Sequence, residues 1–389
     1  MKRLIYLLLL PLAFISCNKE DEPEQFDANK VKRTVLVYAV NKSSLSFDFT
    51  SDMREMLQGV SSIDLKEYQL LLFQTDSETT CGLYTATMIE DTGKPAFTLV
   101  KRYDRDRTST HPDRITEVIS DALSLYPNSA YDLIFWGHGM SWKPYFTDHV
   151  VDQPADYAYG GEYTGGTTSS GNKETDWTEI DELADCVPDN TFQTIWFDCC
   201  YMTGIEVIYE FRDKCKTFVG YPSEVWSYGL AYDLILPYLL RSQPDVTGAA
   251  RAFYEYYNAD SSPVTVAVID MSRLEEVADA ARAVIHSGSA RPNSSGLLNY
   301  SRTAGSPFYD FRQFFTSTAE LNGASEASKA FDEAADRMIV YHAESTRNFS
   351  LRPWDYQNIS GVSTHFYQNG LGTDEAYYET LDWFKRVYK

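Results

Sequence analysis

The sequence predicts an α/β fold with a mainly parallel central sheet and helices on both faces. Three observations predict it. Short β-branched or apolar runs alternate with helix-periodic segments along most of the chain. Two runs, Tyr131–Trp136 (YDLIFW) and Thr194–Phe197 (TIWF), are apolar without alternation, as strands covered on both faces are. The chain is 43% hydrophobic and 23% charged, an ordinary globular composition that excludes wholesale disorder.

The amino terminus stands apart from that pattern. Met1-Lys2-Arg3 is a basic start, Leu4 to Ile15 is apolar, and Ser16-Cys17 ends the stretch. It reads as a secretory signal, too short to span a bilayer. A small residue before Cys17, followed by Asn18-Lys19-Glu20-Asp21-Glu22-Pro23, resembles a bacterial lipoprotein signal. The acidic run resembles the surface-export signal of Bacteroidetes lipoproteins. These resemblances imply cleavage before Cys17, lipid on its thiol, and a chain exported and anchored to the outer membrane. The expected organisation is a signal over 1–16, a polar tether over 17–33 and one folded unit over 34–389. Within that unit a catalytic core is expected over about 34–240 and an α/β extension over about 241–389.

The folded unit opens with the strand Thr34–Val40, a helix over Phe47–Val60 and the strand Tyr68–Phe73. Alternation over 81–104 predicts a hairpin beside the main sheet. Ile115, Val118, Ile119, Ala122 and Leu123 recur at helical spacing over Asp113–Leu125. The strand Tyr131–Trp136 comes next, then a long polar insertion from about Met140 to Asp176. Loops of that length without their own structure are usually functional or mobile. Trp177–Val187 reads as a helix, Thr194–Phe197 as a buried strand, Met202–Asp213 as a helix and Phe218–Tyr221 as a strand. Beyond these come the helix Val246–Tyr257, the strand Val264–Ile269, and helices over Arg273–Ile285, Phe308–Phe315 and Ser325–His342. A strand over Gly361–Tyr367 and a helix over Glu375–Val387 close the chain.

Lys and Arg number 34 and Asp and Glu 56, so the net charge is 34 − 56 = −22. That balance gives no general attraction to nucleic acid or to an anionic membrane face, so no nucleic-acid partner is expected. The 28 tyrosines supply either core or a glycan-stacking surface. Without Cys17, five cysteines remain, and an odd count is no disulfide framework. No C-x-x-C pair occurs and the six His are scattered, which gives zinc no support.

Two groups able to do chemistry follow the two buried strands Tyr131–Trp136 and Thr194–Phe197. Gly137-His138-Gly139 follows the first, and Asp198-Cys199-Cys200 closes the second. A βαβ crossover makes such strands parallel and brings their carboxyl ends to one sheet edge. A thiolate at the start of the following helix, with His138 as base, makes a nucleophile for carbonyl chemistry. The N–H groups of Gly139 and Cys200 are candidate oxyanion donors. Asp198 reads either as a cap for that helix or as a fixed charge in a pocket for a basic side chain. Spacing alone does not separate Cys199 from Cys200, although only one of the two can face His138.

The run Asp198-Cys199-Cys200-Tyr201-Met202 with Glu206 resembles the Asp-Ala-Cys-Leu-Met…Glu signature of clostripain-type cysteine peptidases. Phe135-Trp136-Gly137-His138-Gly139 with Trp142 resembles their His motif. Thr34–Val40, Ser223-Glu224, Val264–Ser272 and 361–367 resemble further segments of the family, so the likeness covers nearly the whole mature chain. It implies the caspase–hemoglobinase fold, a Cys200–His138 dyad, and protein or peptide substrates cut after Arg or Lys. It also implies that Asp198 and Glu224 bind substrate. Some members cut themselves between His and Cys, which makes Lys143 and Lys173 candidate autoprocessing positions. The chemistry needs no cofactor. Some members need calcium, for which Asp148, Asp152, Asp156 and Glu162 offer oxygens. The sequence departs from the family at Cys199, Tyr201, Val225 and Trp226. Trp226 and Tyr228 are expected to narrow the pocket or favour a side chain other than Arg. The alternatives are the same peptidase with a non-basic preference, or a non-catalytic surface lipoprotein that binds peptide or glycan.

Overall fold

A computed structural model describes residues 26–144, 158–167, 173–302, 308–354, 359–367 and 373–389. In chain order the strands are β1 (Arg33–Ala39), β2 (Tyr68–Thr75), β3 (Thr80–Ile89), β4 (Lys94–Asp104), β5 (Ala130–Trp136), β6 (His138–Gly139) and β7 (Tyr159–Thr167). They continue as β8 (Lys173–Thr178), β9 (Phe192–Asp198), β10 (Cys215–Gly220), β11 (Thr265–Asp270), β12 (Tyr309–Asp310), β13 (Ile339–Glu344) and β14 (Ser363–Thr364). Nine of them form one sheet in the order β13-β11-β10-β9-β5-β1-β2-β3-β4. The five central strands, β10 to β2 in that order, are parallel, and antiparallel pairs extend both edges. The predicted fold class is present, and the expected hairpin, β3–β4, is paired into the main sheet as its edge rather than lying beside it.

The helices are α1 (Ser46–Val60), α2 (Pro112–Leu125), α3 (Ile180–Asp185), α4 (Ile205–Glu210), α5 (Tyr232–Leu239) and α6 (Val246–Ala259). After these come α7 (Leu274–Ile285), α8 (Phe311–Leu321), α9 (Ser325–Met338), α10 (Thr373–Tyr378) and α11 (Asp382–Val387). Strand alternation divides the core in two. Leu36 and Tyr38 of β1 pack with apolar residues of α2, α4, α7, α8 and α9, whereas Val35, Val37 and Ala39 pack with α1, α5 and α6. α2 shows why such helices form. Pro112 opens it, the His111 side chain accepts the Asp113 N–H, and Ile115, Val118, Ile119 and Ala122 form its buried stripe. Tyr38, Tyr159, Tyr221, Tyr232 and Tyr378 are fully buried, so much of the tyrosine content is core.

Several elements differ from expectation. The polar insertion contains β7 and β8, which pair with each other and with β6 as a separate three-stranded sheet. β8 takes the first residues of the expected 177–187 helix. α9 stops at Met338, where the β-branched Ile339-Val340 begins the edge strand β13. α5 was not expected, because Pro237 interrupts a mostly apolar run. Only Ser363–Thr364 of the expected 361–367 strand pairs as one, with β12 and outside the main sheet. The expected closing helix is two short ones, α10 and α11. Residues 241–389 add β11 and β13 to the same sheet as residues 34–240, next to β10.

Candidate active site

β1, β5 and β9 end side by side. Ala39 is in register with Trp136, and Trp136 with Asp198. Whatever follows these residues is delivered to one sheet edge. His138 comes two residues after β5, and Cys200 two residues after β9. Both line a cavity of about 150 Å³, together with Leu45, Trp136, Asp198 and Trp226. A methyl group on Gly139 would lie 2.8 Å from the Cys200 carbonyl oxygen and 2.9 Å from Cys199 Cβ. The His138 loop therefore rests directly on the Cys199–Cys200 turn.

The two adjacent thiols have opposite surroundings. Cys199 is fully buried among Phe135, Phe197 and Met202, and its Sγ donates to the Phe135 carbonyl at 3.4 Å. Burial pushes that thiol far above the usual range. Cys200 is half-buried and its sulfur accepts the Val225 N–H at 3.3 Å. The other described thiols, Cys81, Cys186 and Cys215, are buried, and desolvation raises all three. The helix after Cys200 begins only at Ile205, so Cys200 does not stand at a helix start. Where a helix dipole was expected, the Val225 backbone meets the sulfur: its N–H donates to Sγ, and the thiol donates to its carbonyl at 3.7 Å. Tyr201, at φ 64°, turns the chain immediately after the thiol.

Asp198 does not cap that helix either. Its Oδ2 accepts the Leu230 N–H at 3.0 Å and the Tyr232 hydroxyl at 3.1 Å. Its Oδ1 is buried and has no partner among the described residues. Burial pushes the carboxyl up to about 7 against those two donors. Behind the cavity, Asp52 accepts the Trp136 Nε1–H at 2.7 Å, and burial followed by the nearby Asp198 pushes it up to about 9.

The remaining predicted residues are placed as follows. Glu224 does not line the cavity; its Oε1 pairs with Arg302 Nε at 2.7 Å. Trp226 does line it and donates Nε1–H to the Pro263 carbonyl, whereas Tyr228 is exposed and outside the lining. Lys143 follows the His138 loop, its N–H donating to the Met140 carbonyl at 3.3 Å. Lys173 opens β8. Cys17, Asp148, Asp152 and Asp156 lie outside the described residues. Glu162 is fully buried, with its two oxygens taken by Arg105 and the Ser109 N–H, so it does not fit a calcium ligand. Among the described residues no cluster of three or more His, Cys, Asp or Glu side chains fits a metal.

Sequence reasoning missed Ser44, whose Oγ lies 2.8 Å from His138 Nε2. It also missed the Val225 amide on the thiol and the Leu230 and Tyr232 donors on Asp198. Ser44, Val225 and Leu230 arrive on loops after other strands and Tyr232 at the start of α5, and no local motif marks them.

A thiol, an imidazole and a buried carboxyl around one cavity at the carboxyl edge of a parallel sheet belong to the class of cysteine peptidases. The model of the clostripain family matches residues 37–386. The chain belongs to the clostripain family of cysteine peptidases. Its fold is similar to an inactive zymogen C11 protease from Parabacteroides distasonis, at 24% identity and TM-score 0.77, covering 92% of this chain and 99% of that one. A secreted C11 cysteine protease from Bacteroides thetaiotaomicron, solved with an irreversible peptide inhibitor, gives 24% identity and TM-score 0.76 over the same shares. The secreted protease iotapain, from the same organism, gives 21% and 0.74 with the same coverage. No curated protein sequence matches the chain.

Proposed function

We propose that the protein is an exported, lipid-anchored endopeptidase that cuts after Lys or Arg through a Cys200–His138 dyad. His138 takes the Cys200 thiol proton as the sulfur attacks the scissile carbonyl, and returns it to the leaving amine. A water then gives its proton to His138 and opens the acyl-enzyme, which frees the new carboxyl terminus and restores the thiol. The Val225 N–H at the sulfur favours the thiolate, while the Val225 carbonyl, 3.7 Å away, holds the thiol proton until His138 takes it. The Met140 N–H donates to the Ala158 carbonyl, so ladder alternation turns the Gly139 N–H away from β7. That orientation supports Gly139, with the Cys200 N–H, as an oxyanion donor.

One observation carries the basic preference: the buried, unpartnered Asp198 Oδ1 in the lining of the cavity that holds Cys200 and His138. An isolated buried carboxylate is costly, and a substrate ammonium or guanidinium would supply both the missing donor and the compensating charge. Export and anchoring rest on the signal-like start and Cys17, and two of the similar structures are of secreted proteases. Lys143 and Lys173 would be the autoprocessing positions. A calcium site could draw on Asp148, Asp152 and Asp156 but not on Glu162.

Hydrolysis of fluorogenic Lys and Arg peptides tests the reading. Cys200→Ala should abolish it and Cys199→Ala should keep most of it; the reverse pattern sinks the assignment. Asp198→Asn should cut kcat/KM for cationic peptides roughly 100-fold, the scale of losing one charge of a buried pair. A peptide library cut alike by both forms would remove the basic preference. An unmodified mature amino terminus downstream of Cys17 would refute the anchor. Activity with and without chelator decides the calcium requirement.

A further inference from the structure

We infer that Ser44 is the positioning residue of His138, holding Nε2 so that Nδ1 is the nitrogen that serves Cys200. This rests on the dyad proposed above. The contacts on the imidazole sort its edges. Nε2 lies 2.8 Å from Ser44 Oγ. A methyl group on Gly161 would lie 3.0 Å from His138 Cδ2 and 3.0 Å from the Trp177 ring, so those two residues wall the Cδ2 side. The Trp177 ring centroid is 6.0 Å from that of His138. Nδ1 is two ring atoms removed from both Nε2 and Cδ2, so it points away from Ser44 and Gly161 alike. For Nδ1 to accept the thiol proton, Nε2 must carry the ring hydrogen, and Ser44 Oγ is placed to accept it.

The hydroxyl is exposed, but the chain beneath it is fastened on every side. Strand register sets Ala39 beside Trp136, and the Val40 N–H donates to the Trp136 carbonyl at 3.0 Å. Asn41 closes a two-way pair with the Thr75 backbone at 2.8 and 3.1 Å. The Lys42 carbonyl accepts the Tyr163 N–H at 2.8 Å, which ties the Ser44 loop to the strand that walls the imidazole. Ser43, itself buried, accepts the Leu45 N–H, and Leu45 lines the cavity. A serine with so little backbone freedom can fix a ring orientation, which a serine on a loose loop cannot.

The experiment compares Ser44→Ala, Ser44→Thr and His138→Ala in the full chain. It reads kcat and KM on a Lys peptide, together with the rate of Cys200 alkylation by iodoacetamide. Ser44→Ala should lower kcat and the alkylation rate about tenfold, the worth of one neutral hydrogen bond. KM and the thermal melt should stay unchanged, and Ser44→Thr should recover most of the loss. If His138→Ala abolishes hydrolysis while Ser44→Ala leaves kcat and alkylation within twofold of wild type, Ser44 has no positioning role and the dyad stands. If His138→Ala keeps its activity, the dyad and this inference both fall.

Discussion

Burial strips the hydration of Asp198 and pushes its carboxyl up to about 7, while its two donors both serve one oxygen. An unfolded aspartate ionises near 3.8, so between 3.8 and about 7 the folded chain holds a proton that the unfolded chain has lost. Stability therefore falls as pH rises through that window and levels off above it. At ~1.4 kcal/mol per pH unit, the loss from this one group is on the order of 4 kcal/mol. Asp198→Asn has no proton to lose. Thermal melts should show the variant gaining on wild type from pH 4.5 to 7.5, while its hydrolysis of cationic peptides collapses. A constant difference in melting temperature across that range would mean that the carboxyl ionises normally. In the proposed mechanism the same group that weakens the empty fold binds the cationic side chain. Selection of Cys200 over Cys199 also belongs to this scale. Adjacency left the choice open in the sequence, and it is packing against Phe135 and Phe197 that takes Cys199 out of reach.

Among the elements, the small β6–β8 sheet sets the far wall of the site. Gly161 adopts φ +77°, and a methyl group there would meet both His138 Cδ2 and Trp177 at 3.0 Å. Gly161→Ala should cost about 1–2 kcal/mol of backbone strain and push the imidazole off line. The expected result is a kcat reduced by about 10- to 100-fold with circular dichroism unchanged. Unaltered kcat would show that the wall does not set the ring. Elements with one strong local signal were legible in the sequence. β5 and β9 are apolar runs that only a doubly covered strand explains, and α2 carries both a cap and a stripe. The elements that escaped notice had conflicting signals. Pro237 hid α5, the helical pattern of α9 ran on into β13, and the Gly-rich insertion masked β7 and β8. At the site, residues inside a motif were legible. Ser44 and the Val225 amide were not, because the fold brings them in from loops that carry no pattern of their own.

At the scale of the whole molecule, the carboxyl-terminal third is bound into the catalytic edge through Glu206. The signature that drew attention to this residue assigned it no role. Its Oε1 accepts the Thr364 hydroxyl at 3.0 Å, the His365 N–H at 2.8 Å and the Tyr378 hydroxyl at 3.1 Å. A methyl group on Gly204 would clash with Ser141 Oγ and lie 3.3 Å from Glu206 Oε2, which is buried without a partner among the described residues. Trp142 from the His138 loop packs at a tilt against His365 and edge-on against Tyr378, with ring centroids 4.7 and 4.8 Å away. One carboxyl oxygen thus joins α4 to β14, to the residue after it and to α10, while the His138 loop meets the same cluster through Trp142. Glu206→Ala would strand three buried donors at ~1 kcal/mol or more each, so urea unfolding should register a loss of roughly 3 kcal/mol or more. Glu206→Gln keeps an acceptor and should lose far less. Burial raises the Glu206 pKa against its donors and the nearby His365, with Tyr378, Tyr388 and Glu375 also close to the cluster. The folded state therefore holds this proton above the usual glutamate range, and wild-type stability should decline as pH rises past it. In Glu206→Gln that part of the decline should vanish. Equal stability of the Ala and Gln variants would mean that the carboxyl joins nothing, and that the carboxyl-terminal third is held by apolar packing alone.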